Sequence, residues 1–164
     1  MKVYLIRHGI AAERATYAED TERPLTTKGK AKTTKVAQRL ADLSLKFDLI
    51  LTSPLVRAAQ TASILQQTGL SKKTKTYLPL KPDGAIAEFV SWLQQYQLKH
   101  ADAKIALVGH QPDLGNWAEM LLWGTIKGQI VLKKAGIIGL EIPSMGTPIA
   151  RSTVFLHTAP KWLI

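Results

Sequence analysis

The side chains best equipped for chemistry in this chain are two arginines and two histidines, each beside the end of an apolar run. Arg7-His8-Gly9 follows Val3-Tyr4-Leu5-Ile6, Ser53-Pro54-Leu55-Val56-Arg57 follows Asp48-Leu49-Ile50-Leu51-Thr52, and His110 follows Lys104-Ile105-Ala106-Leu107-Val108-Gly109. Arg7 and Arg57 suit a phosphoryl group, which carries roughly −1.5 to −2 charge at neutral pH and repels an attacking group unless its oxygens are neutralised. The planar guanidinium stays charged and meets two phosphate oxygens at once, which lysine does less well. A neutral imidazole at His8 can then attack phosphorus in line, provided its other ring nitrogen donates to an acceptor that fixes the tautomer. His110 would donate to an equatorial oxygen as charge spreads in the transition state. Gly9 lets the backbone turn closely there. Alone, the first tripeptide is compatible with a plain strand end, a metal ligand or a chance tripeptide. A metal held by His8 and His110 would be repelled by the flanking arginines, so neither metal nor cofactor is expected.

These residues need elements to bring them together. Val3–Ile6, Asp48–Ser53 and Lys104–Gly109 read as buried strands ending in polar tips. A helix is expected from Thr27 to Leu43, capped at Thr26 and striped by Val36, Ala37, Leu40 and Ala41. Pro54 suits the first position of the next helix, whose buried side is Leu55, Ala58, Ala59, Ala62 and Leu65. Arg57 in that first turn opposes the helix dipole unless an anion compensates. A weaker strand at Thr76–Leu78, a helix over Ala85–Leu98 and an amphipathic helix through Leu114, Trp117, Ala118, Leu121 and Leu122 follow. Near Gly136 the pattern changes to two closing strands, Ile137–Ile142 and Ser152–His157, joined hairpin-like around Pro143–Pro148. Strands separated by helices imply a three-layer α/β/α sandwich with a mostly parallel central sheet. In such sheets ligands bind beyond the carboxyl ends of the strands, where Arg7, His8, Arg57 and His110 all fall. His8, at a strand tip, is expected to be exposed and dispensable for folding.

Length and composition fit one domain over residues 1–164, with a hydrophobic fraction of 46% that can bury a core. With no cysteine, disulfides, thiolate metal sites and cysteine nucleophiles are excluded. No apolar run approaches the ~20 residues of a membrane span, and the N-terminus lacks the zones of a signal peptide, so a cytoplasmic monomer is expected. The net charge of +10 favours an acidic partner: a phosphorylated small molecule, an acidic protein, nucleic acid or a membrane surface. Lys28, Lys30, Lys32 and Lys35, and again Lys72, Lys73 and Lys75, lack the interleaved aromatics of a base-stacking surface and read first as solvated faces. His100 and His157 read as structural or exposed, and Trp117, Trp123 and Trp162 as core or edge packing.

Leu5-Ile6-Arg7-His8-Gly9, Ser53-Pro54-Leu55-Val56-Arg57-Ala58-Ala59-Gln60-Thr61 and Val108-Gly109-His110-Gln111-Pro112 together resemble the histidine phosphatase, or phosphoglycerate-mutase-like, superfamily. The short length, Arg23-Pro24-Leu25-Thr26 and the terminal Ala159-Pro160-Lys161-Trp162-Leu163 resemble its small SixA-type phosphohistidine phosphatases in particular. The resemblance implies a phosphoglycerate mutase-like fold, hydrolysis through a phosphohistidine at His8, and Arg23 as a third phosphate contact beside Arg7 and Arg57.

The resemblance also exposes a gap. Larger relatives protonate the departing alkoxide with a carboxylate, and relatives of this size often carry an acid directly after Arg-His-Gly, where this chain has Ile10. By motif position Asp20, Glu22 and, behind them, Glu88 are the candidate general acids. An imidazole can leave as a neutral molecule once its nitrogen is protonated, whereas an alkoxide needs a well-placed acid. The expectation is therefore a metal-independent phosphatase acting on a phosphorylated histidine of a protein, an acidic phosphotransfer domain steered by the basic surface. A small-molecule phosphomonoesterase and a non-catalytic phosphate or nucleic-acid binding module are the alternatives; neither nucleic acid nor a membrane is the expected partner.

Overall fold

Strand and helix alternate along the computed structural model, which describes residues 1–164. The elements are β1 (Lys2–Arg7), α1 (Thr27–Asp42), β2 (Leu49–Thr52), α2 (Val56–Gln67), β3 (Thr74–Thr76), α3 (Ile86–Gln97), β4 (Lys104–Gly109), α4 (Asp113–Trp123), β5 (Ile137–Glu141) and β6 (Thr153–Thr158). One sheet forms in the order β3-β2-β4-β1-β5-β6. The first four strands in that order are parallel, and β5 and β6 add as antiparallel neighbours.

Alternate residues of each central strand serve the two faces. Val3, Leu5, Leu49, Leu51, Ile105 and Leu107 pack under α3 and α4 with Phe89, Leu93, Trp117 and Leu121. Tyr4, Ile6, Ile50, Ala106 and Val108 pack under α1 and α2 with Val36, Leu40, Ala62 and Leu65. Burial on both faces explains why these strands read as continuous apolar runs, and it produces the three layers. No helix is long and apolar enough to cross a membrane.

The sheet also sets the level of the strand tips. β2, β4 and β1 are neighbours, with Arg7 opposite Gly109 and Thr52 opposite Val108. The residues that follow, His8, Ser53 and His110, are therefore brought to one edge.

Helix α1 starts as its sequence demands: Thr26 Oγ1 accepts the Gly29 N–H at 2.9 Å. A Cβ on Gly29 would lie 2.0 Å from the Ile10 carbonyl oxygen, so only glycine lets this helix seat against the loop leaving β1. Two boundaries differ from expectation. Helix α2 begins at Val56, not Pro54, because Leu55 is extended and supplies the first helical carbonyl, while its own N–H goes to Ser53 Oγ at 3.3 Å. Strand β3 covers Thr74–Thr76 rather than Thr76–Leu78. Its pairing stops at Thr52, where β2 ends, and the chain then tightens into a 3-10 turn over Leu78–Leu80 that buries Leu80.

Trp117 is buried and stacks on Phe89 at 5.3 Å between centroids. Trp123 and Trp162 are 43% and 76% exposed, so the packing role expected of them does not hold. Both instead sit beneath lysine ammonium groups, Lys127 and Lys161. His100 and His157 are exposed.

Candidate active site

The tip of β1 is clasped from both sides. The His8 N–H donates to the Gly109 carbonyl at 3.0 Å, and the Ala135 N–H reaches the Arg7 and His8 carbonyls. Contrary to the expected exposure, His8 is only 6% exposed, because the loop before β5 closes over the strand tip. Its Nδ1 lies 2.7 Å from the Gly9 carbonyl oxygen. A carbonyl only accepts, so Nδ1 carries the proton and Nε2 keeps its lone pair. Consistently, Arg57 Nε donates toward His8 Nε2 at 3.3 Å.

Helix α2 supplies more than Arg57. One turn on, Thr61 Oγ1 accepts the Gly9 N–H at 3.1 Å and donates to the Arg57 carbonyl at 2.8 Å. Gln60 Oε1 accepts the Leu25 N–H at 2.7 Å. The run Arg57-Ala58-Ala59-Gln60-Thr61 thus fixes both the turn after His8 and the segment carrying Arg23.

Asp20 gathers the arginines. Its carboxylate meets Arg57 Nη2 at 2.8 Å, Arg23 Nε at 2.8 Å and Arg14 Nη1 at 3.2 Å, and its carbonyl accepts from Arg57 Nη1 at 2.7 Å. Arg7 is held separately, through Nη1 to the Leu132 carbonyl at 2.8 Å. Ser53, fully buried, places its Oγ 2.8 Å from His110 Nε2, while His110 Nδ1 has no partner within the protein. The two imidazole rings stand 5.2 Å apart.

Electrostatics keep both rings neutral. Burial lowers the His8 pKa to about 3, against the raising effect of the Gly9 carbonyl and with smaller lowering effects of His110, Arg57 and Arg7. Burial and then Arg57 lower His110 to about 4, against a smaller opposing effect of Asp20. A neutral, hydrogen-bond-oriented imidazole beside fixed cations is equipped for nucleophilic attack on an anionic phosphorus centre.

These groups line a cavity of about 300 Å³ that includes Arg7, His8, Arg23, Arg57, His110 and Lys134. The expected acids do not join them. Glu22 and Glu88 are exposed and outside the cavity. Burial alone would raise the Asp20 carboxyl, but its hydrogen bond and charge contact with Arg57, reinforced by Arg23 and Arg14, hold it below the ordinary value. Asp20 is therefore an ionised counter-charge for the arginines and no proton donor at neutral pH. No group of three or more His, Asp or Glu side chains converges as a metal site.

Three residues absent from the sequence-based set matter here. Asp83 and Asp113 line the cavity; each follows a proline, a dipeptide that carries no chemical signal until the fold brings the two copies together. Glu119, fully buried on α4, accepts the N–H groups of Lys127, Gly128, Gln129 and Ile130. It pins the loop that leads to Leu132 and Ala135, and so supports Arg7 and His8. Its signal was legible: a carboxylate among Trp117, Ala118 and Leu121 on an apolar stripe calls for buried donors.

Comparison with known proteins shows the family and the fold. Residues 3–79 match the histidine phosphatase superfamily, branch 1. An uncharacterized protein of Picosynechococcus sp. is 51% identical over 100% of this chain and 99% of its own length. The phosphohistidine phosphatase SixA of Escherichia coli is 31% identical, over 90% of each chain. The solved structure of the protein histidine phosphatase SixA complexed with tungstate superposes with a TM-score of 0.87 over 100% of both chains at 24% identity, which shows the same phosphoglycerate mutase-like fold.

Proposed function

The chain belongs to the histidine phosphatase superfamily and is a phosphatase, and from that premise we propose that it removes phosphate from a phosphorylated histidine on a protein by way of a phosphohistidine at His8. The observation that carries the chemistry is the His8 geometry: Nδ1–H fixed on the Gly9 carbonyl and Nε2 unprotonated among cations. Arg7, Arg23 and Arg57 clamp the phosphoryl oxygens. Ser53 Oγ accepts the Leu55 N–H and donates to His110 Nε2, which leaves His110 Nδ1–H free to donate to an equatorial oxygen. Water then hydrolyses phosphorylated His8.

The choice of phosphohistidine over an alkyl phosphate is supported by the similarity to the E. coli enzyme and by Ile10, which leaves no acid directly after Arg7-His8-Gly9. A protein substrate is supported by the surface beside the catalytic cavity. A cleft of about 490 Å³, sharing Arg7 and Lys134 with that cavity, is lined also by Lys32, Lys133 and Lys161. None of these lysines forms an ion pair; the three salt bridges of the molecule all involve Asp20. Such a cleft suits the carboxylates of an acidic phosphotransfer domain.

A substrate panel tests the proposal. A phosphorylated phosphotransfer domain is expected to give a higher kcat/KM than 4-nitrophenyl phosphate or a sugar phosphate, and to lose rate with added salt far more steeply than either. Preference for the esters overturns the phosphohistidine assignment.

A further inference from the structure

The catalytic cavity is lined by groups of opposite charge: three arginines and Lys134, and also Asp83 and Asp113, each beside a proline, Pro82 or Pro112. Asp83 is the one side-chain charge that acts on the Asp113 carboxyl, which groups the two acids apart from the arginines. The backbone that carries each carboxylate is fixed. Asp83 sits in the left-handed region at φ 62°, in a turn closed by the Gly84 N–H on the Lys81 carbonyl. A Cβ on Gly84 would fall 1.8 Å from the Pro79 carbonyl oxygen, so the turn has little freedom to carry Asp83 elsewhere. Asp113 is the first residue of α4.

Neither carboxylate pairs with an arginine, although three line the same cavity. Burial raises the Asp113 carboxyl, and the Asp83 carboxylate raises it further, against the lowering effect of the Asp83 N–H. Two carboxylates without a cationic partner in this cavity would repel a phosphate ester bearing only negative charge. They suit a ligand that is anionic at one end and cationic at the other. His110, 4% exposed and with Nδ1 unpartnered, lines the same cavity.

We propose that Asp113, supported by Asp83, binds the N–H at the far ring nitrogen of the substrate's phosphorylated histidine, with Pro82 and Pro112 against the ring. This inference rests on the phosphohistidine reading above. N-phosphorylated imidazole protonated at its other nitrogen is a zwitterion that matches both kinds of charge in the cavity. In the transfer step the His8 Nε2 lone pair forms the new N–P bond. The substrate N–P bond breaks, its electron pair stays on the ring nitrogen, and the imidazole leaves neutral with its proton still on the nitrogen facing Asp113. The positive charge passes to the His8 ring, where the Gly9 carbonyl holds Nδ1–H. A carboxylate thus does for the leaving ring what a carbonyl does for the attacking one, and no acid is needed at position 10.

The test is a ratio of kcat/KM values for a short phosphohistidine peptide and for 4-nitrophenyl phosphate, measured on Asp113→Asn and on Asp83→Asn, with thermal melting as the fold control. For Asp113→Asn the peptide value is expected to fall and the ester value to rise, because the ester gains from losing a nearby negative charge; the ratio drops tenfold or more, and Asp113→Glu restores part of it. A smaller drop, including equal loss on both substrates, overturns the inference. Asp83→Asn is read by the same ratio and decides the matter if Asp113→Asn does not fold. A wild-type preference for the ester would instead reject the phosphohistidine reading itself, independently of the variants.

Discussion

Arg57 is the residue on which clamping and the nucleophile both depend, and its removal can be worked through quantitatively. Arg57→Ala deletes three contacts: Nε to His8 Nε2 at 3.3 Å, and Nη1 and Nη2 to Asp20 at 2.7 and 2.8 Å. A guanidinium about 4 Å from a phosphoryl charge is worth about 4 kcal/mol at an effective dielectric of about 20. Asp20 already offsets part of that charge, so the loss in transition-state stabilisation should be about 2–4 kcal/mol, the range of other preorganised donors. That corresponds to about a 30- to 900-fold fall in kcat/KM. Protonation of His8 does not enter, since burial, the largest cause of its low pKa, survives the substitution. Arg57→Lys keeps the charge but cannot span His8 and Asp20 together, and should recover only part of the loss. The assay is kcat/KM on the phosphohistidine peptide at fixed pH and salt, with a thermal melt to verify folding. A folded Arg57→Ala protein with less than a fivefold loss would refute the clamp.

The packing and electrostatics carry further expected outcomes. Glu119→Gln should lower Tm by about 5 °C or more, because an amide cannot accept four N–H groups as a carboxylate does. Burial would raise the Glu119 carboxyl, but the four N–H groups hold it below the ordinary carboxylate value, so its contribution is present above the unfolded pKa and lost as pH falls through the lower folded one; acid titration of Tm in wild type and variant checks the sign. Gly29→Ala should cost about 3 kcal/mol in urea unfolding, since the new Cβ meets the Ile10 backbone rather than a yielding side chain; a loss below about 1 kcal/mol would contradict that packing. His8 and His110, at about 3 and about 4, should show no titration between about pH 5 and 8 by ring-carbon NMR, where an unperturbed imidazole would turn over near 6.5. For the same reason the fold should lose stability as pH falls below about 6.5, where unfolded histidine takes up protons that the native rings refuse.

The alternation of strand and helix and the gathering of Arg7, His8, Arg57 and His110 were legible in the sequence, because central parallel strands are apolar throughout and their tips change abruptly to polar residues. Edge features were less legible. The short β3 carries no apolar pattern, being exposed, and its position is set by where β2 ends. Pro54 looked like a helix start, but Ser53 holds Leu55 out of the helix. The burial of His8 is not legible in its own segment, because the loop that covers it is pinned from α4 by Glu119. Asp20 looked like an acid by motif position, and only its three arginine partners reveal a counter-charge.

The central claim, attack by His8, is tested most directly by rapid quenching of the enzyme mixed with substrate carrying labelled phosphate. Acid-labile label should accumulate on the tryptic peptide containing His8, chase into inorganic phosphate, and be missing from folded His8→Ala. Label on His110, or turnover retained by the His8→Ala protein, would contradict it.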